Sequence, residues 1–486
     1  MYLGIDLGTS GVKAIVMNDQ GQVIASETAS LEVSRPNPLW SEQNPELWWQ
    51  ATDHVVHALG QKIALDHVKA IGLSGQMHGA TLLDAKQRIL RPAILWNDGR
   101  SAAECVELEQ RVPNSRHITG NLMMPGFTAP KLLWVAKNEP ELFAQIDKVL
   151  LPKDYLRWRM SGDFATDLSD AAGTLWLDVQ KRDWNDELLT TTGLCRAQMP
   201  ILLEGNQISG YLNREQARHW SMNPVPIIGG GGDNAAGAVG VGLYEPGQAM
   251  LSLGTSGVYF IVSDGFLSAP EQAVHSFCHA LPERWHLMSV MLSAASCLDW
   301  VANLTGLPSV AALFAEIETS PPASTPPYFL PYLSGERTPH NNPHAKGSFF
   351  NLTHEHQRAD LCRAVLEGVS FALADGMTAV HACGIKPTQV TLIGGGARSP
   401  YWRQMLADIS GMTMEYRVGG DVGPALGAAR LAQMSCQPER HVEDVLPKLE
   451  LSQIHVPDLK RHVEYQARHC TFRRLYQQLL PLMQGE

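Results

Sequence analysis

Leu7-Gly8-Thr9-Ser10-Gly11-Val12 and Leu253-Gly254-Thr255-Ser256-Gly257-Val258 are the same six residues, met once near the start of each half of the chain. Each copy follows a short apolar run, Leu3 to Ile5 and Ala249 to Leu251, and enters a β-branched or aromatic one, Val12 to Val16 and Val258 to Val262. Two such runs joined by a glycine turn predict a β-hairpin. Its recurrence predicts a duplicated α/β chain, with residues 1–245 as one domain, 246–486 as the other, and a cleft between them. Strand and helix patterns alternate elsewhere, as that class requires. Strands are expected at Ala70 to Leu73, Thr81 to Leu83, Ala93 to Trp96, Val225 to Ile228 and Val390 to Ile393. Helices are expected at Glu46 to Leu59, Asp360 to Ala374, Tyr401 to Ser410, Ala425 to Met434 and Lys460 to Met483.

Composition removes several classes of function. The 486 residues carry a formal charge of −11 with no block of like charges, which argues against a nucleic-acid footprint or an anionic-membrane patch. No apolar run approaches the roughly 18 residues of a spanning helix, so no membrane insertion is expected. The eight cysteines contain no CxxC pair, which makes a structural zinc site on thiolates unlikely to be built. With no basic leader before Tyr2, the expected location is the cytoplasm, most thiols being small core residues.

The glycines concentrate where chemistry is expected. Backbone N–H groups of a tight turn, with Thr or Ser hydroxyls beside them, form a nest for phosphate oxygens, and two facing turns would clamp a polyphosphate. Asp6 precedes the first turn and Ser252 the second, so Asp6 has a task its counterpart lacks: organising Mg²⁺, or simply capping the turn. Ile227-Ile228-Gly229-Gly230-Gly231-Gly232-Asp233-Asn234 is a strand running into four glycines and a carboxylate, where a ligand or another backbone can come close. Leu392 to Arg398 is another strand-to-glycine turn, and Gly419 to Ala428 a loop entering a small-residue helix that borders a nucleotide or packs closely on a neighbour. There is no GxxxxGK[ST] loop and no GxSxG elbow. Gly230-x-Gly232-x-x-Ala235 fits a loose dinucleotide pattern, but Thr255 stands where an acidic residue is needed.

Asp6-Leu7-Gly8-Thr9-Ser10, the second Gly-Thr-Ser-Gly and Gly394-Gly395-Gly396 together resemble the FGGY carbohydrate kinases, as do Gly126 to Trp134, Gly347 to Leu352 and Asp360 to Glu367. Asn351 departs from that pattern, which has glycine there. The resemblance implies two duplicated actin- and hexokinase-like (ribonuclease H-like) ATPase domains, and ATP with Mg²⁺ as cofactors. Gln76-Met77-His78, Trp96-Asn97-Asp98-Gly99-Arg100 and Ser334 to Pro339 are most similar to family members that phosphorylate D-xylulose. It implies Met77 and His78 on the sugar, Asp233 as catalytic base and Asp6 as necessary, the two aspartates also serving the metal. Gln76, Asn97, Asp98, Arg100 and Asn234 would supply mixed donors and acceptors, and Trp96 an apolar wall. Gly8, Thr9, Ser10, Gly254, Thr255, Ser256, Gly394, Gly395, Gly396 and Ala397 would bind the nucleotide. A homodimer without nucleic-acid or membrane partners is expected. Ribulose, glycerol, gluconate or a deoxyketose stand as alternative acceptors, and an actin- or chaperone-like ATP switch or a nicotinamide oxidoreductase as alternative classes.

Overall fold

Strands β1 (Tyr2–Leu7), β2 (Gly11–Met17), β3 (Val23–Ser30), β4 (Ala70–Gly75), β5 (Ile208–Tyr211) and β6 (Pro226–Ile228) form the first-half sheet in a computed structural model that describes residues 1–419 and 423–483. Their order is β5-β6-β4-β1-β2-β3, with Gly231–Gly232 added beside β4. The second half lays down β7 (Ala249–Leu253), β8 (Gly257–Ser263), β9 (His275–Cys278), β10 (Trp285–Met291), β11 (Gln389–Ile393), β12 (Thr413–Arg417) and β13 (Leu451–His455) in the order β9-β10-β8-β7-β11-β12-β13. Both sheets are antiparallel through the hairpin and parallel beyond it, so β3-β2-β1-β4-β6 recurs as β10-β8-β7-β11-β12.

The two identical hexapeptides do not close identical turns. Leu7 pairs with Val12 and the Gly8 amide donates to the Gly11 carbonyl, whereas Leu253 pairs with Gly257 and the Gly254 amide donates to the Ser256 carbonyl. The second turn is one residue tighter because Gly257 joins the β7 ladder that Gly11 leaves. Identical residues therefore present different backbone groups in the two halves.

Five helices matter for the site: α1 (Pro45–Gly60), α2 (Asp233–Gly240), α3 (Arg358–His381), α4 (Gly423–Cys436) and α5 (Leu459–Met483). Asn44 caps α1, its side chain accepting from the Glu46 amide. The pattern predicted a stop for α3 at Ala374, but the helix continues because Gly376 packs against Ser289 instead of breaking it. Trp96 lies beyond its expected strand, which ends at Ile94. Asn351 stands at φ +69°, so the turn expected of glycine is kept. Of the Gly419 to Ala428 segment, residues 420–422 lie outside the described residues. Among the described residues, no helix is long and apolar enough to cross a membrane.

Helix α4 joins the two halves. It lies on β1 and β4 of the first sheet and against α2, burying Ala425, Leu426, Ala429 and Ala432 with Tyr2, Ile15, Ala70 and Ile228. Backbones approach so closely that a Cβ on Gly72 would fall 1.9 Å from the Ala428 carbonyl oxygen, and one on Gly427 would fall 1.7 Å from that of Ala236. Gly427 therefore serves packing and does not border a nucleotide. Replacing Gly427→Ala forces α2 and α4 apart; overpacking costs about 1–3 kcal/mol or more, read as a lowered midpoint in urea unfolding. An unchanged midpoint would mean that the contact is slack.

Candidate active site

The parallel strands of the first sheet end in one row. Asp6 stands beside Ser74, Ser74 beside Gly231, and one step on Leu7, Gly75 and Gly232 are neighbours. The next residues, Gly8, Gln76 and Asp233, thus emerge together at the carboxyl ends of adjacent strands, where α/β sheets bind ligands. Asp233 opens α2 and its Oδ1 accepts from the Asn234 backbone N–H (2.7 Å) and side-chain amide (2.9 Å). Burial pushes the Asp233 carboxyl up to about 6 despite those donors. Burial and then the Asp233 charge push Asp6 up to about 7, with the Ser74 hydroxyl and then Lys13, its partner across the hairpin, pulling the other way. Asp6 Oδ1 is buried without a hydrogen-bond partner. Two crowded, desolvated carboxylates with an unsatisfied oxygen are a donor set that fits a hard divalent cation.

The four glycines before Asp233 are there for neighbouring protein atoms. A Cβ on Gly229 would meet the Glu204 carbonyl at 2.4 Å, on Gly230 the Leu73 carbonyl at 1.9 Å, and on Gly232 the Met77 side chain at 2.9 Å. Met77, 6% exposed, is thereby packed directly under the aspartate. His78 sits at φ +70° with Nδ1 2.6 Å from the Gly173 carbonyl oxygen. That oxygen only accepts, so Nδ1 carries the proton and Nε2 keeps its lone pair. Burial, then the Lys131 charge, hold the His78 imidazolium form well below its ordinary range, leaving a neutral ring able to accept from a hydroxyl. Its carbonyl accepts from Lys131 Nζ (2.9 Å) and Thr128 Oγ1 (3.2 Å).

Several residues expected on ligands are instead bound to protein. Asp98 accepts from the Ser41 amide and from the Arg100 backbone and guanidinium; Arg100 also pairs with Glu42 and lies 3.6 Å over the Trp40 ring. This pair fixes the Trp96–Arg100 turn through Arg100 Nε and Nη2, while Arg100 Nη1 is buried without a hydrogen-bond partner. Gln76, 2% exposed, accepts from the Thr9 hydroxyl and donates to Gln43. The Trp96 indole N–H donates to the same Thr9 hydroxyl at 2.9 Å, so Thr9 is tied into the scaffold. Asn97 is exposed, and Ser10 lies exposed beyond Thr9.

In the second half a cavity of about 730 Å³ is lined by Gly254, Thr255, Phe314, Gly395, Gly396 and Pro400, among others. A Cβ on Gly395 would meet nothing, while one on Gly396 would strike the Trp402 ring at 2.4 Å. Gly394 takes φ +88° against the Leu253 backbone. Ala397 is fully buried in the core beneath and does not line the cavity, and Ser256 is not among its lining residues. The chamber is of a size to hold a nucleotide.

Two features escaped the motifs. The Lys153 ammonium, fully buried, lies 2.8, 2.8 and 3.0 Å from Asp154, Asp167 and Asp170. Burial alone would lower it, but the three carboxylates hold it above its ordinary range, while Asp170 is raised well above its own, chiefly by burial. Asp167 accepts from Ser169 Oγ, and that oxygen accepts the Gly232 amide at 3.0 Å, immediately before Asp233. Arg337, from the second half, reaches the opposite wall: its Nη2 lies 3.6 Å from where a Gly126 Cβ would be, beside the Trp96 carbonyl. Four buried charges near Leu151-Pro152-Lys153-Asp154 and Asp167-Leu168-Ser169-Asp170 are a legible signal in a chain only 18% charged.

This architecture, with sheet ends converging on two aspartates and a second-half nucleotide-sized chamber, is that of a sugar kinase, and the chain belongs to the FGGY family of carbohydrate kinases. The family's N-terminal domain matches residues 1–240 and its C-terminal domain residues 249–436. The chain is an ATP-dependent carbohydrate kinase. It is 70% identical to the xylulose kinase of Escherichia coli (strain K12) over 483 residues, covering 99% of this chain and 100% of that one. It is 64% identical to the xylulose kinase of Klebsiella pneumoniae over the same shares. The crystal structure of a xyloylose kinase from Brucella ovis superposes with a TM-score of 0.95 at 46% identity, covering 99% of each chain.

Ser169→Ala removes the acceptor of the Gly232 amide without touching Asp233. With a buried hydrogen bond worth about 1 kcal/mol, sugar turnover is expected to fall about fivefold while the ATP KM holds. Unchanged turnover would detach the buried lysine cluster from the active site.

Proposed function

We propose that this kinase phosphorylates D-xylulose at its 5-hydroxyl, with Asp233 as general base. The observation that carries the chemistry is the Asp233 carboxylate at the head of α2, pushed up to about 6 by burial. At neutral pH it is ionised, yet basic enough to take a proton. The 5-hydroxyl gives its proton to Asp233 as its oxygen bonds to the γ-phosphorus of ATP; the bond from that phosphorus to the β–γ bridging oxygen breaks, and ADP leaves. Such a transfer asks mainly for alignment and charge neutralisation. The identity of 70% with an E. coli xylulose kinase supports the acceptor. Met77 and the Trp96 ring would lie on the carbon skeleton, and His78 Nε2 and Asn234 would take its hydroxyls.

Asp6, with Asp233 behind it, would hold Mg²⁺, which when bound neutralises charge on the transferring phosphoryl group. The turns Gly8 to Ser10 and Gly254 to Ser256 would cradle the phosphates through the amides that follow Gly8 and Gly254, whose own N–H groups close the turns, with Gly394 to Gly396 beside the nucleotide. The working division lies at residues 245 and 246, each half supplying one wall of the cleft. Closure would exclude water and protect ATP from hydrolysis.

ADP release with D-xylulose, L-ribulose, D-ribulose, glycerol and gluconate tests the acceptor, D-xylulose being expected to lead. Asp233→Ala is expected to cost about 10²–10⁴ in sugar-dependent turnover, the range for a positioned base. A different preferred acceptor, or near-normal turnover of Asp233→Ala, would each overturn its part.

A further inference from the structure

A second cluster of ligand-type side chains lies away from the sheet ends, where α1 meets the short helix Arg214–His219. His57, in the last turn of α1, brings its Nε2 to 2.9 Å from the Nε2 of His219. Asp53, one helical turn before His57, sets Oδ1 3.1 Å and Oδ2 3.3 Å from His219 Nε2, and Oδ1 3.9 Å from His57 Nε2. One nitrogen from each ring and one carboxylate thus converge, all within 4.8 Å of one another. A tetrahedral zinc ion with bonds of about 2.0–2.2 Å holds its donors roughly 3.3–3.5 Å apart. The two imidazoles need part by only about half an ångström to fit that shell.

The surroundings are those of a ligand set. Trp220 Nε1–H donates to Asp53 Oδ1 at 2.7 Å and the Gln216 amide donates to it at 3.3 Å, orienting the carboxylate as outer-shell donors do. The His57 and His219 side chains are 42% and 51% exposed, so an ion can enter and water can complete the coordination. With a proton on Nε2, His219 can donate to Asp53 or to His57; with both ring protons on Nδ1, both Nε2 lone pairs and the Asp53 carboxylate point at one place. Nitrogen ligands of this kind suit zinc and its neighbours and not the oxygen-seeking Mg²⁺ of the phosphoryl-transfer site.

We propose that Asp53, His57 and His219 form a binding site for a zinc-like divalent transition metal, separate from the catalytic cation. The ion would staple α1 to the helix that connects β5 to β6, the strand leading into Gly229 to Asp233. Its role is structural, and no step of phosphoryl transfer passes through it.

The test is zinc titration of the full chain by calorimetry after alkylation of the exposed thiols Cys195, Cys436 and Cys470, with thermal melting alongside. Wild type is expected to bind one zinc equivalent that His219→Ala and His57→Ala each lose, and its Tm to rise with zinc while theirs does not. Trp220→Phe is expected to weaken that equivalent about 10–100-fold. Zinc-free activity and Tm of the histidine variants, matching wild type, show that they fold. Cobalt(II) bound there should give a visible spectrum that lacks a thiolate charge-transfer band and disappears in His219→Ala. Equal zinc stoichiometry and equal Tm shifts in wild type and both histidine variants would overturn the proposal.

Discussion

Two half-buried, desolvated carboxylates, Asp6 and Asp233, mark the candidate active site. Asp6 is the last residue but one of β1 and Asp233 opens α2, and strand pairing along the row Asp6, Ser74, Gly231 brings them near enough for the Asp233 charge to raise the Asp6 carboxyl. That row is tight because Gly230 lies on the Leu73 backbone, and because Gly4 and Gly72 let α4 of the second half settle against β1 and β4. Wider spacing would admit water, relax both carboxylates toward ordinary acidity and weaken their hold on a cation. Glycine content therefore translates into electrostatics: close backbones desolvate the strand ends, and desolvation raises the Asp233 carboxyl toward the range the proposed base requires.

Most polar side chains around the sugar wall are spent on one another. The Thr9 hydroxyl, Gln76 and Gln43 form one chain, Asp98 and Arg100 another, and Lys153 with three aspartates a third. The first joins residues up to 67 positions apart, and outside the three networks stand Asp233, Asn234 and the His78 Nε2 lone pair. The third network reaches Gly232 through Ser169, and through Gly173, three residues past Asp170, the same segment holds His78. A single buried ionic cluster thus sits behind both Asp233 and the His78 imidazole.

The repeated hexapeptide exposed the duplication, because a hairpin with its flanking strands is a local object whose pattern survives in sequence. The long helices were legible for the same reason, and Pro45–Gly60 and Pro400–Ser410 differ from the periodic reading by a residue or two at their ends. Asp233 stood out by its place after four glycines. The partners of those glycines did not, since Leu73, Glu204 and Ala280 lie elsewhere in the chain. The same limit explains Asp98, Arg100 and Ala397: a motif names residues that recur near a ligand but not which of them face it. Sequence identity also concealed a difference, because Gly11 pairs outward with Ser30, whereas Gly257 pairs with Leu253 inside its own hexapeptide. Of the eight cysteines, four are buried and three exposed, so core packing accounts for only half of them.

The role proposed for Asp233 requires a desolvated carboxylate next to a second desolvated carboxylate. A carboxyl-carbon NMR titration of the metal-free protein with labelled aspartate, assigned by Asp233→Asn and Asp6→Asn, measures it directly. Asp233 should titrate at about 6 and Asp6 at about 7, and the Asp6 midpoint should fall in Asp233→Asn as the neighbouring charge is removed. Midpoints near the ordinary aspartate value of about 4 for both, with no response of Asp6 to Asp233→Asn, would contradict the account.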